Sequence, residues 1–559
     1  MSERLFNDNW SFMLKGVGSE LADAQAETDW HDVEVPHDWL IGDTSNLYRS
    51  NDGWYRKKFT VDALSENDVY ILRFDGVYMD STVYVNGSEA GGRGYGYSCF
   101  SLDITDKLRE GENDIYVRVR YQSPNSRWYS GAGIYRNVHL RKTVRTHIAE
   151  NGVYISSRRY GDTNKWIVII ETESSGADCG VRHRVLDSKG RKCAEVSGKQ
   201  INGESRSAFY AVNPEQWDID SPVSYKMISE LITDGKVIDR AENVFGFRTT
   251  EFDPDNGFLL NGRKLKLQGV CMHHDLGALG AAMNVHALRR QLKILKSFGV
   301  NAVRTSHNMP ARELIDLCTE MGLMVDSECF DMWEIPKTEF DNARFFGEYY
   351  KEDVKSWITR DRNAPCIIMW SIGNEIFDTH TSERGLEVAK MLRREVDVHD
   401  KYGNAVCTIG SNYMRWENAQ KVADFLKIAG YNYAEDLYDG HHEAYPDWFI
   451  YGSETASTVR SRGIYHFPAD LAILTHEDLQ CSDYGNSVVG WGKASEKALI
   501  DDRDREYCGG QFVWTGFDYI GEPTPYGFPA RSSYFGIIDL AGFPKDTYYM
   551  YQSEWTTKP

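Results

Sequence analysis

Two short stretches of the chain each end an apolar run on an acid. "CIIMWSIGNE" (366–375) is apolar but for Ser371 until it reaches Gly373, Asn374 and Glu375. "FIYGSET" (449–455) carries Glu454 in the same way. Uninterrupted apolar runs read as strands covered on both faces, as in a parallel sheet. An acid at the C-terminal end of such a strand stands where barrels place their active sites. Two carboxyl groups facing each other across a cavity can cleave a glycosidic bond. One protonates the leaving oxygen, and the other attacks the anomeric carbon or activates water. A lone Glu at a strand end reads more simply as a helix cap or an arginine partner. The amide of Asn374 beside Glu375, able to donate to a sugar hydroxyl, shifts that balance toward chemistry.

Other strand-like runs end on polar or aromatic groups as well. They present His273, His274 and Asp275; Arg304 and His307; Glu328; Asn432 and Tyr433; Trp514 and Asp518. Recurrence at the same end of different strands reads as one site. Glu328, a third carboxyl, is expected to hold Arg304 in place. The pairs in "HHD" (273–275) and "HHE" (441–443) are not expected to bind a metal, because neighbours on a strand point to opposite faces. His273 reads as a partner for a sugar hydroxyl. "GGRGYGYS" (91–98) lacks the Lys-Ser/Thr of a phosphate loop and reads as a flexible sandwich loop.

The elements that must carry these residues fall into three blocks. Residues 1–143 alternate in short runs such as "WYRKKFTV" and "STVYVNG", with Asn86-Gly87 as a hairpin turn, and predict a jelly-roll-like β-sandwich. Residues 144–249 repeat the pattern at immunoglobulin size. From 250 to 559, eight strand-like runs (265–272, 302–307, 323–330, 366–375, 405–410, 428–433, 449–455 and 510–518) alternate with amphipathic stretches such as 287–299 and 385–403. That rhythm predicts a catalytic (β/α)8 TIM barrel.

A formal net charge of −20 argues against nucleic acid or an anionic membrane as partner. The expected partner is a small carbohydrate, with homo-oligomer formation left open. "MSERLFNDNW" has no signal-peptide core, and no run reaches membrane-spanning length. Ten scattered cysteines without CxxC pairs read as reduced thiols, so a cytoplasmic location is expected.

Taken together, these motifs resemble glycoside hydrolase family 2, β-galactosidase branch. "GAGIYRNVHL" (131–140) resembles the end of that family's first sandwich, and "QGVCMHHD" and "FGVNAVRTSHNMP" its first two barrel strands. "MWSIGNE" (369–375) is similar to its acid/base signature, and "YGSETAS" (451–457) to its nucleophile strand. The resemblance implies a retaining exo-β-galactosidase, with Glu375 as acid/base and Glu454 as nucleophile. It further implies that Asn374 holds the substrate 2-hydroxyl and Tyr433 bonds the nucleophile. His273, Arg304 and His307 would line the sugar subsite with Trp514 as an apolar wall, Asn432 and Glu328 completing the set. Arg304 and Tyr433 are expected to favour the ionised form of Glu454.

β-Glucuronidases of this family place an Asn-x-Lys pair after strand eight to hold the sugar carboxylate. Here the matching stretch is Ser533-Tyr534-Phe535-Gly536, without Lys, which favours galactose. Nearby Arg531 keeps a β-glucuronidase or β-galacturonidase as the alternative. A catalytically inactive carbohydrate-binding protein is the alternative from another class. Cys271-Met272 depart from the family's frequent Asn-Arg. The Mg and Na ligands of its larger β-galactosidases are not legible here, so no metal or other cofactor is expected. The chain ends at "YYMYQSEWTTKP", at the expected final barrel helix, where many relatives continue into further β domains.

Overall fold

A computed structural model describes residues 2–161 and 163–558. The first block is a sandwich of a four-stranded and a six-stranded sheet. Its alternating strands, such as Ser81–Val85, turn every second side chain inward. Trp10, Tyr55, Phe74, Val83 and Val117 are among its buried core residues. Asn86 and Gly87 join Ser81–Val85 to Ser88–Arg93 with Val85 paired to Ser88. Both turn residues have positive φ, 49° and 81°, as a two-residue hairpin loop that follows the strand twist requires.

The second block is a seven-stranded sandwich of three- and four-stranded sheets. Its outer strands run from His147–Arg159 to Lys236–Phe245. It touches the barrel through defined polar contacts. The Trp217 indole donates to the Thr319 carbonyl at 2.9 Å, and the Tyr154 hydroxyl to Asp400 at 2.5 Å.

Eight parallel strands then close into a barrel. They are β1 (Leu267–Met272), β2 (Ala302–Thr305), β3 (Met324–Glu328), β4 (Ile367–Asn374), β5 (Val406–Ser411), β6 (Ile428–Asn432), β7 (Phe449–Ala456) and β8 (Gly510–Trp514). Closure is direct, with Leu267 paired to Gly510. Every residue of β4 and β7 is buried, as their apolar runs require. The helix expected over 385–403 spans Arg384–His399 instead. Asp400 leaves the helix because its carboxylate is taken by the Tyr154 hydroxyl, the Trp370 indole and the Asn404 and Ala405 amides.

The Gly-rich stretch 91–98 is not a free loop. The Tyr95 hydroxyl donates to the carbonyl of Cys329, just beyond β3, and Tyr95 and Tyr97 are buried. A Cβ at Gly94 would stand 2.6 Å from the Phe345 ring, so the glycine permits close packing of sandwich on barrel. Arg136 reinforces this contact. Its buried guanidinium donates to the carbonyls of Tyr97, Met309 and Pro310, which offsets the cost of removing it from water.

Candidate active site

Arg304, at the C-terminal end of β2, organises one side of the barrel mouth. The side chain is fully buried and shares its donors among three other strands, β3, β4 and β7. Nη1 donates to Glu454 Oε1 at 2.8 Å, Nη2 to Glu328 Oε2 at 2.7 Å and to Asn374 Oδ1 at 2.9 Å. Gly410 on β5 makes room for this: a Cβ there would lie 2.7 Å from Arg304 Nη2. The Tyr433 hydroxyl donates to Glu454 Oε2 at 2.8 Å, so both oxygens of that carboxylate are held. His307 Nδ1 lies 2.8 Å from Glu328 Oε1, and its Nε2 faces Glu454 Oε1 at 3.5 Å. Burial, with nearby Arg304, holds His307 well below the ordinary imidazole range.

Glu328 does hold Arg304, as expected from its strand-end position. Arg304 and Tyr433 do favour the ionised form of Glu454, as expected, but burial outweighs them. Burial pushes its carboxyl up to about 7, against the pull of Arg304 and Tyr433 and with nearby Glu375 adding to the rise. Burial likewise pushes Glu328 up to about 8, opposed by Arg304. One guanidinium serves Glu454, Glu328 and, at 4.0 Å, Asp326, so it cannot neutralise all three in a dry interior.

Glu375 follows β4 with φ +46°, its amide donating to the Gly410 carbonyl at 2.8 Å. Tyr433 follows β6 with φ +55°, its amide donating to the Glu454 carbonyl. Left-handed backbone in non-glycine residues is uncommon, and here it turns two functional side chains off the strand direction into the mouth. Asn432 Nδ2 donates to Glu375 Oε1 and to Asn374 Oδ1, both at 3.0 Å. The Asn374 amide nitrogen donates to Asp331 Oδ1 at 2.9 Å. Asn374 is therefore fixed from three sides.

Sequence reasoning missed three residues beside Glu375. Asp331, 2% exposed, accepts from Arg127 Nη2 at 2.9 Å and from Lys337 Nζ at 2.8 Å as well as from Asn374. Arg127 Nη1 reaches Glu375 Oε2 at 3.5 Å. Asp331 follows β3 closely, so the strand-end argument could have found it. Arg127 lies in the first sandwich, 248 residues from Glu375, and no local pattern marks it.

An aromatic enclosure completes the mouth. His273 is 8% exposed and sits among Tyr519 (4.1 Å between ring centres), Trp128 (5.1 Å), Trp514 (5.3 Å) and His307 (5.7 Å). Trp514 stacks on His307 at 5.2 Å. Both ring nitrogens of His273 are buried without a side-chain hydrogen-bond partner. His274 points the other way and meets the Ser130 carbonyl at 3.0 Å. His441 and His442 lie on the helix Tyr438–Ala444, not on a strand, against Tyr431 and Tyr507.

Three further sequence candidates have other partners. Asp518 lies beyond β8 and pairs with Lys545 at 2.7 Å. Asp275 accepts the amides of Gly277 and Ile520. Arg531 is exposed, its guanidinium 5.1 Å over the Phe528 ring. Ser533 exchanges hydrogen bonds with the Tyr519 backbone and so supports the enclosure from behind.

The carboxyl pair on β4 and β7, the shared arginine and the aromatic enclosure are what cleavage of a sugar linkage needs, and comparison with known proteins agrees. Three family models match in order. They are the glycosyl hydrolases family 2 sugar-binding domain over residues 7–144, the glycosyl hydrolases family 2 middle region over 146–248, and the family 2 TIM barrel domain over 254–557. The β-galactosidase BoGH2A of Bacteroides ovatus is 40% identical over 99% of this chain and 72% of its own length. A β-glucuronidase of Bacteroides fragilis is 26% identical over 99% of this chain and 81% of its own. The chain spans only 56% of a 32%-identical protein of Formosa agariphila. The crystal structure of a β-glycosidase from Bacteroides vulgatus superposes with a TM-score of 0.89 at 31% identity, covering all of this chain and 76% of that one. With its three domains matched in order and its barrel carrying the carboxyl pair, this chain belongs to glycoside hydrolase family 2 and is a glycosidase.

Proposed function

We propose that the protein is a retaining exo-β-galactosidase that removes terminal β-D-galactosyl groups with Glu375 as acid/base and Glu454 as nucleophile. The observation that carries this reading is the grip on Glu454, whose two carboxylate oxygens are held by Arg304 and Tyr433. A carboxylate fixed at both oxygens is oriented for attack on one carbon, which removes much of the entropy cost of reaction. In the first half-reaction Glu454 bonds the anomeric carbon while Glu375 gives its proton to the departing oxygen. In the second, Glu375 takes a proton from water as the water oxygen displaces Glu454. Asn374 is oriented for a hydroxyl next to the reacting carbon. The buried enclosure of His273, His307, Trp514, Tyr519 and Trp128 supports an exo mode, since it closes the space around a single terminal sugar.

The choice of galactose rests on the absence of Lys from Ser533–Gly536 and on the 40%-identical β-galactosidase. The kinship with a β-glucuronidase sustains the uronide alternative. Arg127 and Lys337 are cations at the mouth, but both are engaged with Asp331. A matched panel of aryl β-galactoside, glucuronide, galacturonide, glucoside and mannoside tests the reading. A galactoside preference of about 10²-fold or more in kcat/KM is expected. A uronide preference overturns the sugar while leaving the carboxyl pair in place.

A further inference from the structure

Arg127 reaches from the first sandwich to the acid/base carboxyl of the barrel, and its placement bears on how Glu375 hands over its proton. It lies between the strands Gly111–Tyr121 and Val138–Val144, in a segment anchored to the barrel loop by the backbone bond from Tyr129 N to the Ile520 carbonyl. Its Nη2 is held on Asp331 at 2.9 Å, and its Nη1 faces Glu375 Oε2 at 3.5 Å. Asp331 is fixed in turn by Lys337 Nζ at 2.8 Å.

The donor pattern on Glu375 is informative. Oε1 already accepts from Asn432 Nδ2 at 3.0 Å, so Oε2 is the oxygen left to carry the mobile proton. Arg127 faces that same oxygen. A guanidinium can only donate. It therefore suits Glu375 best when Oε2 is a carboxylate oxygen. The local charges agree: Arg127 and Lys337 balance Asp331 and Glu375 only when Glu375 is ionised. With Glu375 protonated, the group carries one uncompensated positive charge. Glu522 also faces Arg127 but accepts the Tyr519 hydroxyl at 2.6 Å, and burial pushes its carboxyl upward.

Building on the reading of Glu375 as acid/base, we infer that Arg127 is a positioning residue that stabilises the Glu375 carboxylate formed when the proton leaves for the substrate oxygen. The proton passes from Glu375 Oε2 to the glycosidic oxygen, the C1–O bond breaks as C1–O(Glu454) forms, and the alcohol departs neutral. Arg127 then holds the new carboxylate until water returns a proton to it in the second half-reaction. The effect is largest where proton transfer matters most, which is with alcohols that leave poorly. Substrates whose leaving group departs without a proton gain nothing from it. The device spans two domains, so the sandwich contributes to chemistry as well as to packing.

The test is a leaving-group series on the best aryl β-glycoside of the panel, from dinitrophenyl to unsubstituted phenyl and an alkyl glycoside. It is run with the full chain, Arg127→Gln and Arg127→Lys. The expected loss of kcat/KM in Arg127→Gln is about tenfold for the poorest leaving group and near zero for dinitrophenyl, as for a charge pair with one partly exposed partner. Arg127→Lys, which keeps the charge and the reach to Asp331, recovers part of it. A loss equal across the series, or none, overturns the role. Should Arg127→Gln fail to fold, the Lys variant decides: a slope against leaving-group acidity steeper than in the parent supports the role, and an unchanged slope overturns it. Glu375→Ala in parallel separates the two claims. If it keeps dinitrophenyl hydrolysis and is rescued by azide, the acid/base reading stands and only Arg127 is at issue. If it is neither selective nor rescued, the reading of Glu375 itself fails.

Discussion

The two carboxyl groups sit in contrasting surroundings. Glu454 is 3% exposed, and the residues that hold it, Arg304 on β2 and Tyr433 after β6, belong to the barrel. Glu375 is 9% exposed, and it is held by Asn432 of the barrel on one oxygen and by the half-buried Arg127 of another domain on the other. A nucleophile must keep one position, which suits a dry, rigid strand-end network. Under the proposed roles, an acid/base must change charge twice per cycle, which suits an edge where a partly exposed cation, Arg127, stands beside it. The contrast places most of the electrostatic cost on the Glu454 side, where one guanidinium serves three carboxyl groups.

The largest effect should follow from breaking the Glu454 side directly. Glu454→Gln keeps shape and hydrogen bonding but cannot attack, so kcat on aryl β-glycosides should fall by about 10⁴-fold or more while the fold survives. Arg304→Met should come next. It leaves buried carboxyl groups without their shared cation, so thermal or denaturant unfolding should show a loss of about 3 kcal/mol or more along with most of the activity. Residual stability equal to that of the parent would mean that the carboxyl groups are already protonated and indifferent to the cation.

Tyr433→Phe removes one donor to the Glu454 carboxylate. A loss of about 10- to 100-fold in kcat/KM is expected, about 1.4–2.7 kcal/mol. The sign of its pH effect is fixed. Attack requires ionised Glu454, whose carboxyl is raised to about 7, so kcat/KM should decline as pH falls through about 7 in the parent. Losing a donor to the ionised form raises the carboxyl further, so the acid limb should move to higher pH in Tyr433→Phe. A limb that stays in place would show that another group sets it. The smallest effect sharpens the contrast itself. Raising salt from about 0.05 to 0.5 M should leave that acid limb nearly unmoved, because a dry pair is little screened. The leaving-group effect of Arg127, by contrast, should shrink, since its side chain is 35% exposed.

Sequence alone determined the three-block order and the barrel, because burial on both faces forces the continuous apolar runs of β4 and β7, and the sandwich strands must alternate. It also brought Glu375, Glu454, Arg304, His307, Asn374, Asn432 and Tyr433 to one end, since the ends of parallel strands share a face. It could not show what Asp275 and Asp518, the strand-end acids passed over in favour of Glu375 and Glu454, bond to, because partner choice depends on chain far away: Ile520 for one and Lys545 for the other. It misread 91–98 as a free loop because its glycines serve close packing against a helix some 250 residues later, a use with no local signature. Only the tertiary structure decided which oxygens of Glu375 and Glu454 are held, that burial outweighs Arg304 at Glu454, and that Arg127 crosses a domain boundary to reach the site. Those outcomes depend on three-dimensional distance and on exclusion of water, and neither is written in the spacing of residues along a chain.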